Sequence, residues 1–132
     1  MSDERRVNPR FEEDLVFERS SGPARYASKT DKPVRYFAVA NDSGAVLGYV
    51  WANDEDDAAG WVTRPAGGDE AYNGGYMWLM KLRDAKARGI APTRALAELL
   101  QGSEDIVTTH VVPGSEAEAP SQAALKQLAA QA

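Results

Sequence analysis

Two stretches of the chain are rich in the β-branched and aromatic residues that favour strands. They are VRYFAVA (34–40) and AVLGYVWA (45–52), separated by Asn41-Asp42-Ser43-Gly44. Asn and Asp suit the corners of a turn, and Gly44 can adopt the left-handed conformation that closes a four-residue hairpin loop. Both faces of the two stretches carry apolar side chains, which indicates a central strand pair. The pattern therefore predicts a central β-hairpin over residues 34–52.

The pattern changes after the hairpin. GWVTR (60–64) predicts a short strand that ends before Pro65, and PAGGDEAYNGG (65–75) predicts a glycine-rich connection. The following YMWLMKLRDAKAR (76–88) contains strong helix formers and is followed by Gly89, a common residue at helix ends. Five consecutive apolar residues, 76–80, would point in all directions around such a helix. We therefore expect most of them to be buried.

The remaining elements follow from capping residues and periodicity. Pro92 is expected to open a second helix that ends at Gly102. Beyond it we expect a strand over 105–112, a flexible linker over PGSEAEAPS (113–121) and a C-terminal helix. The fold class is then α+β, with a small antiparallel sheet, the hairpin 34–52 at its centre, and two or three helices packed mainly on one face.

The domain organisation that these elements suggest has three parts. Residues 1–33 form a partly ordered polar arm, residues 34–112 a single α+β core domain, and residues 113–132 a linker and C-terminal helix. Within the arm, Asn8-Pro9 can open a short helix. Residues 15–17 can equally form a strand fragment, and both interpretations stay open.

Composition is ordinary for one globular domain. The chain has 132 residues, of which 43% are hydrophobic and 27% charged. Its lack of cysteine excludes disulfides, thiolate nucleophiles and cysteine-ligated metals. The N-terminus lacks the apolar region of a signal peptide, and no run approaches the ~20 apolar residues of a membrane span. We expect a soluble cytoplasmic protein, and the ten Arg to five Lys are typical of a GC-rich bacterial gene.

Charge is unevenly distributed along the chain. The net charge of −5 argues against general binding to nucleic acids or anionic membranes. Residues 54–57 are all acidic, but they lack the ligand spacing of a calcium loop, so a solvated turn is predicted. A basic group in the predicted helix either solvates that helix or forms a patch for an acidic partner or a phosphate-bearing ligand. Its members are Lys81, Arg83, Lys86 and Arg88, with Arg94 following in the second predicted helix.

Motifs for catalysis are missing from the sequence. There is no phosphate-binding P-loop, no nucleophile elbow and no zinc-protease motif, and His110 is the sole histidine. A metal site built from three histidines is therefore excluded within one chain. We predict no catalytic residue, no metal and no cofactor.

One family comparison rests on the order of the central elements. The hairpin YFAVANDSGAVLGYVWA, followed by glycines that open a helix ending in AKARGI, resembles the GCN5-related acetyltransferases. In that family a Q/R-x-x-G-x-G/A loop presents backbone N–H groups to the coenzyme A pyrophosphate. The matching stretch here, EAYNGGYM, has adjacent glycines at 74 and 75 and an acidic Glu70. The family also continues from this helix into a strand, whereas this sequence predicts a second helix. The chain is not assigned to the family.

Together these features predict a non-catalytic binding or interaction module for a protein or a small anionic ligand. A homodimer is one such arrangement. The alternative is an acyltransferase-like enzyme that binds a phosphorylated cofactor at the glycine-rich loop 66–75. The candidate binding residues are Gly74, Gly75, Tyr72, Trp78, Trp51, Lys81, Arg83, Lys86 and Arg88. An aromatic sheet face with Tyr49 and Trp51 is a further expected surface.

Overall fold

The structure is a computed structural model that describes residues 25–101 and 106–132. The predictions made for residues 1–24, and for Gly102 and Asp105, lie outside these ranges. No helix of the described residues is both long enough and apolar enough to cross a membrane.

The central hairpin forms as predicted. Strand β1 (Val34–Asn41) pairs antiparallel with strand β2 (Val46–Asn53). Gly44 adopts a left-handed φ of 87°, and the Asn41 side-chain oxygen accepts hydrogen bonds from the N–H groups of Ser43 and Ala45 at 3.1 and 3.0 Å. The loop closes because its residues supply both the positive φ and the acceptor that the turn needs.

The hairpin contains a β-bulge that the sequence did not reveal. Val39 pairs with Gly48, but the next residue, Ala40, pairs with Val46. Leu47 is thus the extra residue on β2, and it is 1% exposed. The bulge turns the Leu47 side chain toward residues 67–74, which follow the third strand of the sheet.

The hairpin lies inside a five-stranded antiparallel sheet. Strand β3 (Ala58–Thr63) pairs with β2, slightly earlier in the chain than predicted. The other edge of β1 is shared by two short strands, β4 (Thr109–Val111) and β5 (Ala117–Ala119). The prediction of a linker is wrong at β5, and the strand predicted for 105–112 is shorter. The additional strand forms because the outward N–H and C=O groups of β1 need partners, which Ala117–Ala119 supply.

Four helices pack against this sheet. A 3₁₀ turn (Pro65–Gly67) leads into α1 (Gly68–Gly74), which is followed by α2 (Tyr76–Ala87) and α3 (Pro92–Leu100), and the chain ends with α4 (Gln122–Gln131). Helices α2, α3 and α4 confirm the sequence prediction. The predicted connection over 65–75 is wrong, because this segment is helical. Its Ala71 is fully buried, and Leu47 lies against both ends of α1.

Each face of the sheet carries its own buried cluster. Helices α2 and α3 cover one face, where Phe37, Val50 and Trp78 meet. Helix α4 covers the opposite face, where Trp51 packs with Leu125. The predicted α+β class, with the helices mainly on one face, is confirmed, and α4 is the helix on the other side.

Part of the predicted N-terminal arm belongs to the body of the fold. Tyr26 is 5% exposed, and its hydroxyl donates to the Ile90 carbonyl. Ala27 pairs in parallel with Ala58 at the outer edge of β3. Ala27 therefore pairs with one end of that edge, and Tyr26 packs into the core beside it.

Candidate functional site

Helix α2 leaves most of its apolar residues uncovered. Its inner side buries Trp78 and Leu82, which are 1% and 3% exposed. Its outer side exposes 64% of Tyr76 and 39% each of Met77, Leu79 and Met80, and Tyr72 of α1 continues this surface at 63%. We call these five exposed side chains the α2 patch: Tyr72, Tyr76, Met77, Leu79 and Met80.

The prediction that most of residues 76–80 are buried is therefore wrong. Only Trp78 of the five is buried. A helix that packs on one face of a sheet can bury a single stripe of side chains. Within the described ranges, no element covers the other side of α2, so the remaining apolar residues face solvent.

The two adjacent glycines allow close packing against neighbouring side chains. Gly75 has helical angles (φ −81°, ψ −14°) and is buried between α1 and α2. A Cβ placed on Gly75 would lie 2.5 Å from the Trp61 indole, and one placed on Gly48 would lie 2.4 Å from the same ring. A Cβ on Gly74 would lie 3.0 Å from the end of Leu47 and at an ordinary contact distance of 3.9 Å from Thr109. The missing side chains at 75 and 48 thus make room for Trp61.

The aromatic sheet face predicted as a working surface is buried. Trp51 is 1% and Tyr49 is 7% exposed. Trp78 is also internal, with its Nε1–H donating to Thr109 Oγ1 at 3.0 Å. Trp51 and Trp78 thus lie in the two core clusters, whereas Tyr72 is the predicted aromatic binding residue that lies at the surface.

The predicted basic group does not form one patch. Lys86 pairs with Asp57, and Arg88 bridges Asp84 and Glu98 at 3.1 and 3.3 Å. Arg83 has no ion pair among the described residues, and its nearest polar contact is the Met80 sulfur at 4.0 Å. Lys81 is half-buried. Intramolecular carboxylates therefore neutralise the C-terminal part of the group.

The acidic turn 54–57 connects β2 to β3 and exposes Asp54, Glu55 and Asp57, which confirms the predicted solvated turn, and it also binds other segments of the chain. Asp54 accepts hydrogen bonds from the backbone N and Oγ1 of Thr93 at 2.8 and 2.6 Å, at the start of α3. Asp56 accepts from Thr30 Oγ1 at 2.6 Å and from Lys32 Nζ at 3.3 Å. These two hydrogen bonds lower the pKa of Asp56. The turn is therefore a structural junction.

A cleft of about 310 Å³ opens at the outer edge of β3, between α2 and α4. Leu79 of the α2 patch forms part of its wall, and Arg25 and Arg83 also line it. Trp51 reaches it from the opposite face of the sheet. The Nε1 atom of Trp51 is the single buried side-chain polar atom without a hydrogen-bond partner in the part of the chain that the structure describes. The cleft and the α2 patch are continuous through Leu79.

Two other clefts offer less specific chemistry. One, of about 600 Å³ between α3 and β5, mixes Arg35 and Arg94 with exposed carboxylates. The other, of about 480 Å³, contains His110, whose Nε2 lies 2.6 Å from Asp42 Oδ1 at the surface. Over residues 25–101 and 106–132, no group of three His, Asp or Glu residues has the arrangement of a metal site.

Comparison with known proteins finds no matching protein family, curated protein or solved structure. The function is therefore argued from the α2 patch and the adjoining cleft. The sequence placed Tyr72 and Arg83 among the candidate binding residues, whereas Tyr76 and Leu79 were noted only as members of an apolar run that was expected to be mostly buried. The run of apolar residues was visible, but its exposure depends on which layer of the fold α2 occupies.

Proposed function

We propose that this protein is a non-catalytic interaction module that binds a partner protein through the α2 patch. The observation that carries this proposal is the exposure of five large apolar side chains on the outer side of α1 and α2. Monomeric soluble proteins rarely expose contiguous apolar surfaces of large extent. Tyrosine and methionine are also enriched in the centres of protein interfaces. The patch thus has the composition of an interface core.

The residues around the patch indicate the chemistry of the partner. The patch itself carries no charged group, and Arg83 lies at its C-terminal end beside the cleft. Arg83 and Arg25 form no ion pairs within the described ranges. A partner surface with apolar side chains next to carboxylates would complement this arrangement. Such charge complementarity steers association and fixes the orientation of the partners.

Photo-crosslinking in the native host tests the proposal. Benzoylphenylalanine replaces Tyr76 in one variant and Lys126, an exposed residue of α4, in the matched control. We expect a defined crosslinked adduct from position 76 that is not formed from position 126. Met80→Asp in the same background should abolish the adduct, because a carboxylate would enter the interface core.

The identity of the adduct separates the kinds of partner. A second protein that carries an acidic segment supports the proposal. An adduct of twice the mass of this chain would assign the patch to a homodimer, which sedimentation velocity would confirm. Equal labelling from positions 76 and 126, or an adduct unaffected by Met80→Asp, would overturn the proposed role of the patch.

A further inference from the structure

We propose that the partner enters the cleft at the edge of β3 as an extended segment, adds a strand to the sheet by pairing with Trp61, and places a carboxylate between Arg25 and Arg83. This inference rests on the proposed function and specifies how the partner is held. The cleft is defined by its walls of Leu79 and Leu82 from α2 and of Gln122 from α4.

The backbone of β3 provides the first argument. Ala27 N donates to Asp57 O, and Ala59 N donates to Ala27 O at 3.0 Å, so the N–H of Ala59 points away from β2. Backbone groups alternate in direction along a strand, so those of Trp61 also point outward. Ala27 covers the edge only near Ala58. Among the described residues, none hydrogen bonds to the outward N–H or C=O of Trp61. An edge with such groups is a template for strand addition.

The buried indole of Trp51 provides the second argument. Its Nε1 lies 3.2 Å from the position that a Cβ of Gly60 would occupy, and Gly60 lines the cleft. This donor has no partner among the described residues, although the side chain is 1% exposed. A buried donor without an acceptor is costly. An oxygen atom of an incoming segment would satisfy it.

Charge selects the kind of segment. Of the cationic side chains near the acidic turn, Lys32 and Lys86 are paired with carboxylates of this chain. Arg25 and Arg83 line the cleft and form no ion pair with any described residue. Arginine forms strong charge-assisted hydrogen bonds with carboxylates. An extended segment in which acidic residues alternate with apolar ones would place its carboxylates on the α2 side, beside Arg83, and its apolar side chains on the opposite side, toward α4.

A set of defined peptides tests the inference by fluorescence anisotropy with the full chain. The probe is fluorescein-labelled Val-Glu-Val-Glu-Val, and the charge control is Val-Lys-Val-Lys-Val. We expect the acidic peptide to bind about tenfold more tightly than the lysine peptide, since charged hydrogen bonds are the stronger ones. Arg83→Glu should reverse this order, whereas Lys126→Glu on α4, the matched charge change away from the cleft, should not.

N-methylated peptides test the strand pairing itself. One version is methylated at its valine amides and another at its glutamate amides. A strand presents alternate amides to its neighbour, so one version should lose binding and the other should retain it. In amide hydrogen exchange, the Trp61 N–H should be slowed by the unmodified peptide.

The outcomes distinguish this inference from the proposed function. If both methylated versions bind like the unmodified peptide, or if Trp61 exchange is unchanged, strand addition is overturned while crosslinking at position 76 still supports the module. If no peptide binds and the crosslink at 76 persists, the inference fails and the proposed function stands. Loss of the crosslink as well would overturn both.

Discussion

Replacing Gly75 with alanine tests whether Trp61 packs against the backbone as closely as the structure shows. The new Cβ would lie 2.5 to 2.6 Å from three atoms of the indole ring. Contacts below 3.0 Å force a displacement. The ring cannot shift toward β2, because its far end lies 2.4 Å from the position of a Cβ on Gly48. The substitution must therefore displace Trp61 or α2.

The expected magnitude is a difference between two opposing effects. Overpacking a well-packed site costs about 1–3 kcal/mol. Gly75 has helical angles, so alanine returns up to about 1 kcal/mol of helix propensity. We expect Gly75→Ala to lower the free energy of unfolding by about 1–2 kcal/mol. Gly74→Ala is the matched control, since its Cβ would lie no closer than 3.0 Å to any atom, the nearest being the end of the Leu47 side chain. Gly74→Ala should change the free energy of unfolding by less than about 0.5 kcal/mol, or should raise it.

Urea denaturation followed by circular dichroism measures both changes, provided that the m-value stays constant. A double-mutant cycle with Trp61→Val, a smaller strand-compatible residue, isolates the contact. In that background Gly75→Ala should become neutral or stabilising, which corresponds to a coupling energy of about 1–3 kcal/mol. The reasoning is refuted if Gly74→Ala and Gly75→Ala have equal effects, or if Trp61→Val leaves the cost of Gly75→Ala unchanged.

Three further predictions follow from burial, charge and backbone geometry. Leu82→Ala should lower the free energy of unfolding by about 2–4 kcal/mol. Tyr76→Gln on the exposed side should change it by less than about 0.5 kcal/mol. Equal losses of unfolding free energy in urea denaturation would show that the α2 patch is covered. Asp56 should titrate below its ordinary pKa of 3.8 by NMR. The Asp56 carboxylate should then contribute its full stabilisation above pH 3.8, and this contribution should be lost as the pH falls through the lowered pKa. Asp56→Asn should therefore make the free energy of unfolding less dependent on pH in the acid range. An unchanged pH dependence would contradict the prediction. Acetyl-coenzyme A at millimolar concentration should leave the melting temperature unchanged, because the backbone at Gly75 is buried under Trp61, and a clear rise would favour the acyltransferase-like alternative.

The fold was predictable where local signals agreed with each other. The hairpin 34–52 combined strand-forming residues with a turn whose chemistry is specific, and both were confirmed. Helices α2 and α3 had clear start and stop residues. Helix α1 and strand β5 were missed because their own residues do not favour the structures that they adopt. Long-range contacts stabilise them: α1 packs on Leu47, and β5 pairs with β1.

The candidate site was predictable only in part. The apolar run 76–80 drew attention to the right segment, but the same run is compatible with burial or exposure. The structure buries Trp78 and exposes Tyr76 because only one side of α2 faces the sheet. The cleft at the edge of β3 joins Arg25, Trp51 and Arg83, which are distant in sequence. No spacing pattern could have associated these residues.

The sequence by itself determined the class of the fold, the central hairpin and the main helices, since these depend on short-range periodicity, turn chemistry and capping. It also identified Gly74 and Gly75 as unusual, but their role depends on what lies across from them. Only the tertiary structure showed Trp61 against Gly75, Trp51 beneath α4 and the apolar side of α2 left uncovered. The physical reason is that burial is a property of the assembled layers, which a local pattern of residues does not encode.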